Sequence, residues 1–327
     1  MPLAAHISAF ITRFGASVPI VQAPTGSIAG PELAISVCQA GAMGAMALTW
    51  ADREAAASHV AAVRAATAAP FLVNYALAFP PKSLAAALEA GAPIVSFSWG
   101  DPAEHAALVR SFGARLAIQA TNAEGAKRAL QHGPDFLVCQ GIEAGGHVQA
   151  TRPLRAVLDE VLSAAEGVPI VASGGIGDGS AIAEALRAGA SAAMLGTRFV
   201  ATRESTAHPE YKRRIVLSSV EEASLTVCFD GGWPYAAHRV LRNSTLDAWE
   251  AAGCPPNGRR PGESEVIGAD AAGEPILRYA DTAPRDGFTG DIEAMCCYAG
   301  ESCAAIHDLP SARDLVPRLW ADALAVL

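Results

Sequence analysis

The chain has 327 residues, of which 51 % are hydrophobic and 17 % are charged, so it is long and apolar enough to bury a large core. A formal net charge of −9 argues against nucleic acid or an anionic membrane surface as a partner. The seven cysteines, an odd number, are typical of a reducing compartment and not of a disulfide framework. The N-terminus lacks the basic and apolar regions of a secretory signal, and Gly41 and Gly44 interrupt the uncharged segment 33–51. We therefore expect a soluble, cytoplasmic protein without a membrane span.

Apolar runs of strand length recur along the chain, and segments with helix signals separate them. Most runs start roughly 20 to 30 residues apart, which is the length of one strand, one helix and two loops. Both alternating positions of each run are apolar, as in strands that are covered on both faces. Eight such units predict an α/β fold, a (β/α)8 TIM barrel; a doubly wound open sheet is the alternative, but no Gly-x-Gly-x-x-Gly motif follows the first run. The predicted strands are residues 19–22, 43–47, 71–74, 94–98, 116–119, 136–139, 170–173 and 192–195.

Residues that favour helix starts stand between these runs. Asp52, Asn122 and Asp178 each precede a predicted helix, and Pro102 occupies the expected first position of another. Gly189 marks the end of the helix that Asp178 begins. The alternation of strands and helices thus continues to the last apolar run.

The regular alternation ends near residue 200. Residues 201–294 contain helical pieces at 209–219 and 241–252, followed by a loop rich in proline, glycine and charge. We predict that this segment is a smaller, mainly helical appendage over the barrel mouth, on the substrate side. Residues 1–200 and 295–327 would form the barrel, with a closing helix at 311–327.

Glycine-rich turns follow the last two predicted strands. Ser173 runs into Gly174 and Gly175, and the next strand runs into Gly196-Thr197. Glycine lets the backbone approach an anion closely, and a following helix adds N–H donors. Because the loops after the seventh and eighth strands of barrels commonly bind phosphate, we expect a phosphate-bearing ligand here.

Polar side chains at other strand ends would face the same ligand. The first strand runs into Ala23-Pro24-Thr25, the third ends at Asn74 and the fifth ends at Gln119. Their amide and hydroxyl groups suit the polar edge of a planar heterocycle, since a buried strand disfavours Asn unless its amide is satisfied. Phosphate and heterocycle together are most consistent with FMN, although these features alone leave a sugar-phosphate substrate open.

A single histidine stands at the expected ligand-binding end of the barrel. His147 closes the loop Gly141-Ile142-Glu143-Ala144-Gly145-Gly146, which follows the sixth predicted strand. Imidazole can serve there as a base, an acid or a hydrogen-bond donor, so we predict that His147 is catalytic. Glu143 either orients the loop or faces solvent. No repeated acidic pattern indicates a metal.

These motifs together resemble the nitronate monooxygenases, formerly called 2-nitropropane dioxygenases, a family of FMN-dependent TIM barrels related to the FabK-type enoyl-ACP reductases. The resemblance implies that FMN lies across the barrel mouth, that His147 stands in front of the flavin, and that residues 298–302 close over the cofactor. The matching segments are residues 22–24, 30–34, 74, 143–147, 172–179, 196–199, 241–243 and 298–302. The implied cofactor-binding residues are Ala23, Pro24, Thr25, Asn74, Gln119, Gly145, Gly146, Ser173, Gly174, Gly175, Gly196, Thr197, Tyr298, Gly300 and Ser302.

Two residues depart from the family pattern. Gln149 stands two positions after the motif histidine, where the family usually has Gly, and Glu301 stands where it usually has Gln. Both lie where substrate or flavin contacts are expected, so they bear on the choice of substrate more than on the cofactor.

The resemblance implies oxidation of an alkyl nitronate by O₂ to a carbonyl compound and nitrite through a flavin semiquinone. If neutral nitroalkanes are also substrates, His147 would remove their α-proton. The alternative is an NAD(P)H-dependent flavin reductase acting on a quinone or an enoyl thioester, and a third hypothesis is a barrel that binds a phosphorylated metabolite. Trp233, Tyr235 and His238 could line the substrate pocket, or could instead pack the appendage onto the barrel.

Overall fold

The computed structural model describes residues 3–327 and contains eight parallel strands that form a nearly closed barrel, as predicted. The barrel strands are β1 (Ile20–Gln22), β2 (Gly44–Ala47), β3 (Phe71–Ala76), β4 (Ile94–Ser98), β5 (Arg115–Ala120), β6 (Phe136–Gln140), β8 (Ile170–Ser173) and β9 (Ala192–Leu195). A parallel bridge between Val21 and Met43 joins the two edge strands β1 and β2. Across the same seam, the Gln22 side chain bonds both backbone groups of Ala45, at 2.9 and 3.2 Å.

Two apolar layers explain why both faces of these strands are hydrophobic. Leu72 and Phe136 belong to the cluster that fills the barrel interior, whereas their chain neighbours Val73 and Leu137 belong to the larger cluster against the surrounding helices. This alternation follows from the period of two in a strand. The eight strands therefore sit between an inner and an outer core.

Three of the helices between the strands begin where the sequence predicts. Asp52, Asn122 and Asp178 each accept a hydrogen bond from the backbone N–H three residues later. Pro102 lies just outside its helix and not at the first helical position, because Asp101 accepts from the Ala103 N–H at 2.9 Å and delays the start. The helices are α1 (Ala5–Phe14), α2 (Pro31–Gln39), α3 (Arg53–Ala66), α4 (Leu84–Glu89), α5 (Ala103–Ser111), α6 (Ala123–Leu130), α7 (Leu154–Ala164), α8 (Gly179–Arg187), α9 (Thr197–Val200), α10 (Pro209–Leu217), α11 (Ser244–Ala251) and α12 (Ala312–Val326).

Residues 201–294 are mixed rather than mainly helical, which corrects the expectation for the appendage. Only α10 and α11 and a short 3₁₀ turn are helical, and five short strands occupy the rest of the regular structure. The helix expected at 241–252 begins only at Ser244, because Leu241 ends a strand and Asn243 caps the helix. These strands are β10 (Ala223–Thr226), β11 (His238–Leu241), β12 (Val266–Ala269), β13 (Pro275–Leu277) and β14 (Thr289–Gly290).

One strand of this segment reaches the barrel mouth. β11 pairs antiparallel with β10 on one side and on the other with β7 (Gly146–His147), a two-residue strand in the loop after β6. The later chain then returns to the barrel through a 3₁₀ helix at Glu301–Ala305 and through α12, which packs on α8 and α2. The chain segment that carries His147 is thus held between the barrel and the appended sheet.

The uncharged segment 33–51 contains most of α2, a turn and the strand β2, which was predicted at 43–47. Among residues 3–327, none of the helices combines the length and the apolar character that crossing a membrane requires.

Candidate active site

A cavity of about 820 Å³ opens at the carboxyl ends of the barrel strands, and this volume is typical of small-molecule and cofactor sites. Its wall is built from the loops that follow the strands and from parts of the later chain, including residues 281–283. All but one of the predicted site residues line it: Ala23, Pro24, Thr25, Asn74, Gln119, Gly145, Gly146, His147, Ser173, Gly174, Gly175, Gly196, Thr197, Tyr298 and Ser302.

Gly300 is the exception, and it lies behind the cavity wall. Its backbone N–H donates to the Thr197 hydroxyl at 2.9 Å. A Cβ at position 300 would come within 2.7 Å of the Glu143 carbonyl oxygen and 2.8 Å of the Gly145 nitrogen, so two chain segments pass each other here with room only for glycine. The structure gives Gly300 a supporting position beside Thr197, and its contact with the cofactor stays a prediction.

The backbone of Gly174 and Gly175 forms a cradle suited to an anion. Their φ angles are +112° and +71°, a region that L side chains rarely adopt. A Cβ at Gly174 would also lie 3.1 Å from the Gly141 carbonyl oxygen, a closer approach than most Cβ atoms make. Neither backbone N–H donates to another group within residues 3–327. This glycine cradle fits the phosphate of FMN, because free N–H groups are what a phosphate oxygen requires.

Polar atoms on other loops are also left for a ligand. The Thr25 hydroxyl is buried and has no hydrogen-bond partner in the described part of the chain. The Asn74 amide donates to the Ser96 carbonyl at 3.1 Å, which leaves its own carbonyl oxygen unused. Because an unpartnered buried polar group is costly, these atoms fit the polar edge of a bound ring.

His147 lies in the cavity wall on β7, directly opposite His238 of β11. Its ring stacks on the Trp233 indole with centroids 4.4 Å apart. Burial, with a smaller contribution from His238, lowers the pKa of His147 to about 3, so the imidazole is neutral at physiological pH. Its Nε2 atom is buried and finds no partner among residues 3–327. Because His147 lines the cavity, its neutral imidazole is placed to contact a ligand there.

Of the three appendage residues considered for the pocket, only Trp233 lines the cavity. Tyr235 points to solvent and is 93 % exposed. His238 is buried, with its Nδ1 2.9 Å from the Ala236 carbonyl and its Nε2 accepting from the Phe229 N–H at 3.2 Å. Both nitrogens of His238 are thus used to hold the chain around residues 229–238.

Two glutamates fix the loop that carries His147. The Glu143 carboxylate accepts from the Leu154 N–H at 2.9 Å, so this residue orients the loop. The Glu301 carboxylate lies 3.1 Å from the guanidinium of Arg239, which also donates to the Ile142 carbonyl at 2.8 Å. The family's usual Gln is thus replaced here by an ion-pair partner of a buried arginine.

Sequence reasoning missed Trp99, Gln140 and Arg285, which also line the cavity. Trp99 has φ +60°, which is unusual for a bulky residue, and its ring lies 4.5 Å from that of Trp233. The Arg285 guanidinium makes no side-chain hydrogen bond or ion pair within residues 3–327, and it lies over the Phe288 ring. Only Gln140 had a signal in the sequence, since it ends an apolar run as Asn74 and Gln119 do.

The barrel and the ligand cavity at the carboxyl ends of its strands define the architecture of a (β/α)8-barrel enzyme. A family model described as nitronate monooxygenase matches residues 8–85 and 76–322, which is nearly the whole chain. The chain belongs to the nitronate monooxygenase family and is an oxidoreductase.

Two relatives and one solved structure are similar to this chain over nearly its whole length. The chain is 30 % identical to a nitronate monooxygenase of Pseudomonas aeruginosa, over 95 % of this chain and 98 % of the relative. It is 29 % identical to an octahydro-indene-carboxyl-CoA dehydrogenase of Mycobacterium tuberculosis, over 96 % of this chain and 95 % of that one. The solved structure of FabK from Thermotoga maritima shares the fold, with a TM-score of 0.80, 23 % identity and coverage of 97 % of this chain and 96 % of that one.

Proposed function

We propose that this protein binds FMN and uses O₂ to oxidise alkyl nitronates to a carbonyl compound and nitrite. The observation that carries the proposal is one cavity that combines the glycine cradle and the neutral imidazole of His147, whose N–H groups and Nε2, respectively, have no partner within residues 3–327. FMN, when bound, would supply the one-electron redox chemistry, since the protein contributes binding, orientation and electrostatics. Membership of the nitronate monooxygenase family, which is flavin-dependent in general, supports the choice.

Different residues of the chain would hold the phosphate and the ring of FMN and form the substrate side of the cavity. Gly174 and Gly175, with Gly196 and Thr197, would hold the phosphate, because their backbone lies at neighbouring strand ends. The segment Ala23–Thr25, Asn74 and Gln119 would flank the ring from other strand ends. Residues 201–294 would contribute the substrate side of the cavity, where Trp233 already covers His147.

The charges of the cavity favour an anionic substrate. Arg285 lines the cavity and has no carboxylate partner in the described residues, whereas Asp281, the one acid in the wall, lies against Gly232. Burial raises the pKa of Asp281 above its ordinary value, so burial disfavours the charged form of this carboxyl. A neutral His147 can donate a hydrogen bond to an anionic nitronate oxygen without itself carrying a charge. These features support the nitronate over a neutral substrate.

The test begins with the visible absorption spectrum of the purified protein and with assays of nitrite released from a simple alkyl nitronate in air. We expect flavin bands and nitrite formation. A colourless protein that does not take up FMN would end the proposal. Rapid anaerobic bleaching of the flavin by NADPH, without nitronate turnover, would instead support the flavin reductase.

The variants His147→Ala and His147→Asn test the role of the imidazole. We expect both to keep FMN, because the phosphate and ring contacts lie elsewhere, and to lose turnover by about a hundredfold or more, because neither retains the imidazole as a hydrogen-bond donor to the nitronate. His6→Asn, at an exposed position in α1, is the matched control and should behave like the wild type. Near-normal steady-state kinetics in the His147 variants would remove this residue from the mechanism.

A further inference from the structure

Three glutamine side chains form a hydrogen-bonded chain in and behind the cavity wall. The Gln119 amide nitrogen donates to the Gln149 side-chain oxygen at 2.6 Å and to that of Gln140 at 3.3 Å. Gln119 and Gln140 line the cavity, whereas Gln149 lies behind them. Gln149 stands where the family usually has Gly, which could not make the contact with Gln119.

Two backbone donors fix which way each of these amides faces. The Gln149 N–H donates to the Gln140 side-chain oxygen at 3.0 Å, so that atom must be the acceptor. The Trp99 N–H donates to the Gln149 side-chain oxygen at 3.3 Å, which fixes the second amide in the same manner. Gln119 faces two acceptor oxygens and must therefore present its NH₂ group to them. The orientation of all three side-chain amides therefore follows from two backbone N–H groups, which cannot exchange donor and acceptor.

This polarity has a consequence for the cavity. With its NH₂ group bound to Gln140 and Gln149, Gln119 has only its carbonyl oxygen left, and that oxygen has no partner within residues 3–327. The cavity wall at Gln119 is thus a hydrogen-bond acceptor. The same Gln149 oxygen also holds the backbone of Trp99, whose left-handed conformation requires support from its surroundings.

We propose that Gln149 is a positioning residue that fixes the Gln119 carbonyl oxygen toward the cavity. This oxygen then accepts a hydrogen bond from an N–H group of the bound ring. Gln149 also holds Trp99 against Trp233. The oxidised isoalloxazine ring of FMN has one N–H, at N3, so FMN satisfies this requirement. The inference rests on the proposed FMN site, and it adds a residue outside the cavity wall as a determinant of how the ring is held.

The experiment measures FMN affinity and does not depend on turnover. Apoprotein is titrated with FMN, and quenching of flavin fluorescence gives Kd for the wild type and for Gln149→Ala, Gln149→Met and Gln149→Glu. Met keeps the volume without an acceptor, whereas Glu keeps an acceptor oxygen for Gln119 and Trp99. We expect Ala and Met to raise Kd about three- to tenfold, the range of one hydrogen bond, and Glu to stay within about twofold of the wild type.

A second titration with N3-methyl-FMN isolates the proposed contact. Since this analogue lacks the N–H, the difference in Kd between the wild type and Gln149→Met should disappear, as in a double-mutant cycle. Circular dichroism of each variant confirms that it is folded. Normal FMN affinity in Gln149→Met, or a difference that persists with the methylated analogue, would overturn the inference while leaving the proposed function intact. Failure of the wild type to bind FMN would instead overturn both.

Discussion

At the scale of the single residue, burial of His147 decides what this side chain can do. A base with a pKa of about 3 is a poor acceptor for a proton from carbon, whereas it remains a good hydrogen-bond partner. Under the proposed function, a preformed nitronate would therefore be a better substrate than a neutral nitroalkane. The sequence predicted the residue but not this restriction, because it arises from packing against Trp233 and His238.

The pH dependence of turnover follows from the same pKa. Because the folded-state pKa lies well below the ordinary value of about 6.5, the neutral form of His147 is fully populated throughout pH 5 to 8. We expect kcat/KM for the nitronate, corrected for the fraction of substrate present as the anion, to show no inflection near pH 6.5. An inflection there that His147→Asn abolishes would show that the imidazole titrates in the working range.

Single residues also show what a sequence can and cannot reveal about a site. The glycines 174 and 175 and His147 stand in local motifs after predicted strands, so the chemistry of the motif pointed to them. The role of Gln149 was not predictable, because its partners Gln119 and Trp99 lie 30 and 50 positions away along the chain. The departure of Gln149 from the family pattern was visible in the sequence, but only the folded structure shows which residues it contacts.

At the scale of the element, β11 and the 3₁₀ helix at Glu301–Ala305 hold the loop that carries His147 in place. Arg239 of β11 bonds the Ala223 and Ile142 carbonyls, both at 2.8 Å, and pairs with Glu301. The Arg239 side chain is only 8 % exposed, whereas that of Glu301 is 33 % exposed. The arginine therefore contributes more to stability than its partner does, since removing the arginine leaves several acceptors unpaired.

Replacing each partner in turn tests this asymmetry. Arg239→Met should lower the free energy of unfolding by about 3 kcal/mol, because it leaves a carboxylate and two carbonyls without their donor. Glu301→Gln restores the usual family residue and keeps an acceptor oxygen, so we expect a loss of about 1 kcal/mol or less. Urea unfolding of the two variants, with equal slopes, measures both values. Equal losses in the two variants would contradict this account of the pair.

The elements were predictable from the sequence to different degrees. The eight barrel strands were predictable because strands that are buried on both faces form continuous apolar runs. Turn or capping residues such as Asp52 and Asp178 follow these runs and mark where the next helix begins. The strands of the appendage were missed because β10, β12 and β13 are short and partly exposed. Such strands are stabilised by partners distant in sequence, so local pattern does not identify them.

At the scale of the whole molecule, one end of the barrel is closed by an aromatic cluster and the other end carries the cavity. Phe10 and Phe14 of α1 pack on Phe136, with ring centroids of Phe10 and Phe14 at 5.9 and 5.2 Å from that of Phe136. Phe136 begins β6, whereas Gln140 ends it at the cavity, and four residues of strand span roughly 13 Å. The aromatic cluster thus closes the end of the barrel opposite the cavity.

This separation predicts that stability can be changed without changing the chemistry. Phe10 is 1 % exposed, so Phe10→Ala should lower the free energy of unfolding by about 3 to 5 kcal/mol through lost burial and a cavity. FMN affinity and kcat should stay within twofold of the wild type below the new melting temperature, because nothing at the carboxyl ends of the strands moves. Phe112→Ala, at a position that is 46 % exposed, is the control and should cost about 1 kcal/mol or less. Calorimetry and steady-state kinetics on the same samples decide the matter: a folded Phe10→Ala protein with lost turnover would mean that the two ends of the barrel are coupled.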